Sequence, residues 1–371
     1  GFGPGHLTGV SSWLVFASNI IVTSMVAVSF GSYASSMFTD GDATWAKVFA
    51  VLIVLAMGTL NVVGSGAVAK AQGVIVRVVI GILVVFSIVT LANADWSLLA
   101  FSGYPSMRQI VSSVALTFFA FLGFGVITFT AKDLAHPKRE LPRAMYIALA
   151  IAAIVYIAIS LGVYGTLTVD EVIASGGTAL AEAAKPTLGD AGYLLMAITA
   201  LFATAGATNS GIYPTAGLSK DLATKGQFPP VLGKDWGRMS IALGFMVVST
   251  LMLTVFFDLS AIASLGSAVA LLIFTLVSIA HLRVRKDTGA RIGVLLLALV
   301  TTATTFAVFA STTLADEPAT MTTLVAIIAL AIGLDVTWKW IAHRREGEGG
   351  RTEDLTVHAD ERPLTGTSPR A

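Results

Sequence analysis

Two glycines set among large apolar residues are the feature of this chain whose spacing points most directly to ligand chemistry: Gly123 and Gly125, within Phe121, Leu122, Gly123, Phe124, Gly125 and Val126. A helix in lipid must pair its own backbone groups. Glycine at mid-span lets it unwind and frees N–H and C=O groups to hold a solute. Unwound carbonyls would accept from an amine, half-helix ends would add dipole charge, and Phe121 and Phe124 would wall the pocket. The competing use of such a pair is close approach of two helices.

Other polar residues sit in apolar surroundings. Arg77 follows Lys70 by seven residues, about 10 Å of helix. A cation at that depth costs at least ~2.5 kcal/mol on insertion scales, so it is expected to face the bundle interior with a partner, or else to snorkel to the surface. Thr204, Thr208 and Asn209 lie in ALFATAGATNSGIYPTAG; they can ligate a solute or ion, or bond to their own backbone and to neighbouring helices, the commoner use. Pro214 is expected to kink that helix. Asp335 and Lys339, four apart and flanked by Trp338 and Trp340, read as a helical ion pair beneath an aromatic belt. Asp133 before Lys138 and Arg139 could form a salt-bridged inner gate or be a solvated charge.

The five histidines (His6, His136, His281, His343, His358) all fall in or beside loops or the tail. No metal-ligand spacing, phosphate loop, nucleophile elbow or paired-carboxylate motif accompanies them, so neither an enzyme nor a cofactor is expected. Cysteine is absent, which excludes thiolate chemistry and disulfides.

What must position these residues is a membrane bundle. With 55% hydrophobic and 12% charged residues and a mean hydropathy of +0.83, the composition is outside the range of water-soluble domains. Apolar runs of about 20 residues predict ten spans, near residues 9–36, 46–63, 67–92, 112–131, 144–167, 193–215, 241–257, 261–280, 293–312 and 321–341. The expected fold is therefore all-α and polytopic, with one transmembrane domain over 1–343 and a polar tail over 344–371 expected to be disordered. Loops bearing Lys70, Lys138, Arg139, Arg143, Lys220, Lys225, Lys234, Arg238, Arg283, Arg285, Lys286 and Arg291 alternate with acidic or neutral ones. By the positive-inside rule the basic loops and the C-terminus are cytoplasmic. The opening GFGPGHLTGV has no initiator Met and no signal-peptide layout, so a preceding segment is expected.

The run FFAFLGFGVITFTAKDLAHPKRELPRAM resembles the sixth helix, and the loop after it, of the amino acid-polyamine-organocation (APC) permeases. GIYPTAGLSKDLATKGQFPPVLGK is similar to the end of that family's eighth helix, and FGPGHLTGV, more weakly, to the approach to its third. The resemblance implies an inverted-repeat transporter fold in which the ten spans are helices three to twelve, with a broken helix near 121–126 and the other broken helix upstream of this chain. It also puts Arg77 where proton-coupled members carry a lysine in a would-be sodium site; arginine stays charged, so Arg77 is expected to be a fixed charge that makes transport sodium-independent. Two departures stand out: Gly125 where many members have an acid, which weighs against polycationic substrates, and Gly217 where an arginine is usual.

The function implied is secondary active transport of an amino acid or related small amine by alternating access, proton-coupled or by exchange, in the plasma membrane. A non-transporting sensor or subunit of the same fold is the alternative. The partners expected are a small-molecule solute and the lipid bilayer, with no nucleic acid. A pocket with Phe121, Phe124 and Val126 and no acid at 125 fits a neutral amino acid, to which Ser11, Ser12, Trp13 and Ser18 could contribute.

Overall fold

The computed structural model describes residues 5–63, 66–100, 104–237 and 239–360; within these, no side chain is described at 66–71, 129, 130, 132, 133, 213, 343 and 345–360. Helix α1 (His6–Phe38) turns through Asp40 and Gly41, both at positive φ, into α2 (Ala43–Val63), where the Asp42 carboxylate accepts from the N–H groups of Thr44 and Trp45. Then come α3 (Gly66–Ala92) and α4 (Met107–Thr117), the latter opened by a Ser106–Gln109 capping box. A 3-10 segment follows over Phe118–Asp133.

Helix α5 (Pro137–Tyr164) leads through short α6 (Val169–Ser175) and α7 (Ala179–Glu182) into α8 (Lys185–Thr224). Gly189, at φ 64°, breaks the first turn of α8 away from the rest. A two-residue hairpin, β1 (Asp235–Trp236) with β2 (Met239–Ser240), precedes α9 (Ile241–Phe256). Helix α10 (Leu259–Arg283) and the single turn α11 (Arg285–Thr288) lead to α12 (Ile292–Ser311), α13 (Thr313–Asp316) and α14 (Pro318–Asp360).

Among the described residues nine helices are long and apolar enough to cross a bilayer, and α9 is apolar but shorter. The ten expected spans each coincide with one of these helices, and the protein is an all-α, polytopic membrane protein. Helix α14 runs past Arg344, where the composition predicts order to end, as far as Asp360.

Helices α1 and α10 are the centre of the bundle. From Ser264 to Leu271 every residue of α10 is buried. Lipid tails are as apolar as leucine, so helix association rests on close packing and interhelical hydrogen bonds more than on hydrophobic burial. The contacts follow that rule: Gly31 of α1 lies directly on the Ala46 carbonyl and Ala50 of α2, Gly211 of α8 lies on Thr23 of α1, and Gly266 of α10 lies under the Phe119 ring. A Cβ at any of the three would overlap its neighbour.

The helix at the centre of the sequence argument departs from α geometry, in a form the glycine pair did not predict. Instead of a gap at Gly123 and Gly125, all sixteen residues of Phe118–Asp133 wind as a 3-10 helix, where runs beyond three or four residues are uncommon. Side chains from two neighbours brace it: the Ser267 hydroxyl of α10 donates at 2.5 Å to Leu116 O in the last turn of α4, just before the segment, and the Tyr156 hydroxyl of α5 donates to Ala120 O within it at 3.0 Å. Because i→i+3 bonding keeps the main chain paired, residues 121–126 do not present the freed carbonyls expected of an unwound turn.

Candidate functional site

A cavity of about 500 Å³ opens between α1, α3, the 3-10 segment and α8. With three residues per turn, positions i and i+3 of the 3-10 segment eclipse one another. Gly123 and Val126 therefore share a row that faces the cavity, with Ile127 beside them. The other four of the predicted six do not line it. Phe121 packs edge-on against Tyr156 of α5, ring centroids 5.2 Å apart, and Phe124 stacks on Phe274 of α10 at 6.0 Å. Leu122 packs against the main core. Phe121 and Phe124, expected to wall a pocket, pack instead on these neighbours, and the aromatic residue that lines this cavity is Phe202 of α8.

The polar part of the cavity comes from Asn19 of α1, Gln72 of α3 and Ser210 of α8. Gln72 is the centre of a chain of amides. Its Nε2 donates to the Gly206 carbonyl at 2.9 Å and to the Ser210 hydroxyl, and its Oε1 accepts from Asn209 Nδ2 at 3.3 Å. Asn209 Oδ1 in turn accepts from Asn61 Nδ2 at 2.8 Å. Three helices, α2, α8 and α3, are thereby joined across the membrane interior by uncharged groups. Of the residues singled out on α8, Asn209 belongs to this chain. Thr208 donates to Thr204 O at 2.8 Å and Thr204 to Ala200 O at 2.6 Å, both within their own helix.

Sequence reasoning missed Asn61, Gln72 and Ser210. The available signal was an amide inside an otherwise apolar run, at NVV ending α2 and at AQGVIV in α3; such groups in lipid seek partners across helices.

Arg77 lies on the exposed side of α3 and makes no ion pair among the described residues. Lys138 and Arg139 of the expected inner gate are exposed in the first turn of α5, and neither is ion-paired among the described residues; the Asp133 side chain lies outside the described ones. A charged cluster is built where α1 meets α14. Buried Asp335 of α14 lies 2.7 Å from Lys339 Nζ and 2.7 Å from His6 Nδ1 of α1. Lys339 also donates to Gly5 O at 2.9 Å, and Trp338 Nε1 donates to Gly226 O at 3.0 Å. The predicted Asp335–Lys339 pair is thus formed, with His6 as a third member that spacing could not reveal.

No group of three or more His, Cys, Asp or Glu suited to a metal occurs among the described residues. The residues lining the cavity are all uncharged.

A model of the amino acid permease family matches residues 2–336. An uncharacterized protein of Methanocaldococcus jannaschii is 31% identical, in a match covering 78% of this chain and 67% of the relative. The inner membrane transport protein YbaT of Escherichia coli is 27% identical over 80% of this chain and 70% of its own length. The serine/threonine exchanger SteT of Bacillus subtilis is 24% identical over 61% and 51%. A family match of that extent, on an all-α bundle of apolar helices, establishes that this chain belongs to the amino acid permease family and is an integral membrane transporter of the APC type.

Proposed function

We propose that the protein moves an amino acid or a related small amine across the membrane by alternating access, and that the solute occupies the cavity between α1, α3, α8 and the 3-10 segment. The observation that carries this reading is the meeting of that cavity with Gly123 and Val126 on the one non-α span and with Asn19, Gln72 and Ser210 opposite. An uncharged lining favours a solute whose side chain is neutral, since a buried charge without a partner is costly.

Exchange of one solute for another is the favoured energy source over proton coupling, because none of the lining residues is an acid or a base. Arg77, exposed on α3, is read as a snorkelling cation and not as a fixed charge in an ion site. The basic loops and the C-terminus face the cytoplasm on the positive-inside rule. In that orientation Asp335, with His6 and Lys339, is an inner lock, and Asp133 with Lys138 and Arg139 is read as a charged rim of the cytoplasmic face.

Uptake of radiolabelled L-amino acids into proteoliposomes tests the proposal, with the same solute inside the vesicles or absent from them. Uptake that needs internal solute supports exchange, and uptake driven by an imposed pH gradient alone supports proton coupling. Binding without flux in either condition would contradict transport and favour a sensor.

A further inference from the structure

Helices α9 and α14 both pack on α1 and leave between them a cleft of about 500 Å³. Its floor is a stripe of α1, Trp13, Phe16, Ala17, Ile20 and Ile21, the spacing of one helical face. One wall is the face of α9 that carries Phe245, Ser249, Met252 and Phe256, and the other is the face of α14 that carries Leu330 and Leu334. Among the described residues Ser249 supplies the one hydroxyl, and no charged group lines the cleft. A buried water needs about two to four polar partners, which these walls do not offer. Left empty, they would forfeit dispersion contacts along their length.

The shape of the cleft selects its occupant. Its mouth opens outward between membrane spans, where Phe256 and Leu330 are 74% and 60% exposed. Its floor is narrow: Trp13, Phe16, Ile20 and Ile21 line it and are nonetheless buried. A helix with its side chains is about 10–12 Å wide and could not reach that floor; a single hydrocarbon chain can. From Trp13 to Ile21 the floor runs about 12 Å along α1, and from Phe245 to Phe256 the wall runs about 16 Å along α9. That is the depth of one leaflet in a hydrocarbon core about 30 Å thick. Leu334 adjoins Asp335, and Trp338 a turn further on donates to Gly226 O beside Lys225, so this end of the cleft lies toward the basic loops. We propose that the cleft is a lipid site, in which one acyl chain of a bilayer phospholipid lies along the membrane normal in the leaflet on the basic-loop side and covers α1 between α9 and α14. Lipid tails are as apolar as leucine, so the chain completes the packing that the two helices leave open. Helix α1 stands between this site and the cavity lined by Asn19 and Val22, and the lipid site does not depend on what that cavity binds.

The test places the full chain in nanodiscs of phosphatidylcholine whose acyl chains carry bromine at mid-chain, beside the same lipid without bromine. Bromine quenches indole emission at short range, and the Trp13 share of the emission is the difference between wild type and Trp13→Phe. Trp13 is 5% exposed and stacks on Phe228 with ring centroids 4.0 Å apart, so lipid reaches it only by entering the cleft. Most of the Trp13 emission should be lost in the brominated lipid. Ala17→Phe, which grows a ring from the half-buried floor into the cleft, should restore it to the level in unbrominated lipid; Ser249→Phe fills the cleft from the α9 wall and serves if Ala17→Phe is not recovered folded. If Trp13→Phe itself does not fold, native mass spectrometry of the wild type and the filled variant decides instead: the variant should retain fewer phospholipids, and equal retention overturns the proposal. Equal Trp13 emission in the two lipids overturns it as well, whether the cleft is then empty or, as cross-linking in proteoliposomes would show, covered by a second copy of the chain. Quenching that survives in the filled variant also overturns it, because bromine then reaches Trp13 by another route.

Discussion

His6 Nδ1 lies 2.7 Å from the Asp335 carboxylate, joining residues 329 positions apart and so tying the first described helix to the last. Asp335 is fully buried, and Lys339 holds its other oxygen. Gly9 lies so close to that carboxylate that any side chain there would strike it. Removing one member of a buried ion pair strands the other, at a cost of about 3–5 kcal/mol. Asp335→Ala should therefore lower the melting temperature in detergent well below that of His6→Ala, whose imidazole is largely exposed. Equal melting of Asp335→Ala and wild type would show that the lock carries no stability.

The 3-10 segment depends on the flat contact between Gly266 and Phe119. A Cβ at Gly266 would enter the space of the Phe119 ring, and overpacking of a filled site costs about 1–3 kcal/mol. Gly266→Ala should destabilise the protein by that amount and slow uptake, while Gly217→Ala, which meets open space, should do neither. Melting curves and initial uptake rates of the two variants decide it.

Two caps outside the bilayer give a pH dependence of known sign. The Thr168 N–H, and after it the Thr168 hydroxyl, hold Glu171 below the usual carboxylate range, and the Ser97 hydroxyl and N–H do the same for Asp95. Because the folded-state values are depressed, the contribution is present above the unfolded values, about 3.9 for Asp and about 4.3 for Glu. It is lost as pH falls through the lower, folded values. Hydrogen-exchange protection of α6, corrected for intrinsic rates, should hold from neutral pH to about pH 5 and fall below about pH 4. Glu171→Gln, which has no carboxyl to titrate, should remove that dependence; protection that persists at low pH in the wild type would contradict it.

Arg77→Gln should leave both melting and uptake as in the wild type, since the guanidinium has no ion-pair partner among the described residues. A large loss of uptake with normal folding would restore a coupling role to Arg77.

The spans were legible because lipid imposes one demand, an apolar run long enough to cross, which nine helices between His6 and Ala342 meet and which α9 meets in composition but not in length. Asp335–Lys339 was legible because one helical turn brings the pair together. What stayed hidden depends on contacts between distant residues. Gln72 meets Asn209 across 137 positions and Ser267 meets Leu116 across 151, so the polar wall and the hydroxyl at the α to 3-10 junction have no local signature. Gly123 and Gly125 lie in the span that departs from α geometry. Their spacing could not say whether the helix would open or overwind, because the groups that brace it are distant in sequence: the Ser267 hydroxyl on Leu116 O of α4 and the Tyr156 hydroxyl on Ala120 O.

Gly123 offers the sharpest test of where the solute goes. A Cβ there meets open space, and leucine is a better helix former than glycine, so Gly123→Leu should fold and fill part of the cavity. Amino acid uptake into proteoliposomes by Gly123→Leu, beside wild type of equal melting temperature, is the most direct measurement. The predicted result is flux reduced to the level of protein-free vesicles; uptake equal to wild type in a correctly folded Gly123→Leu would place the solute path elsewhere and contradict the assignment.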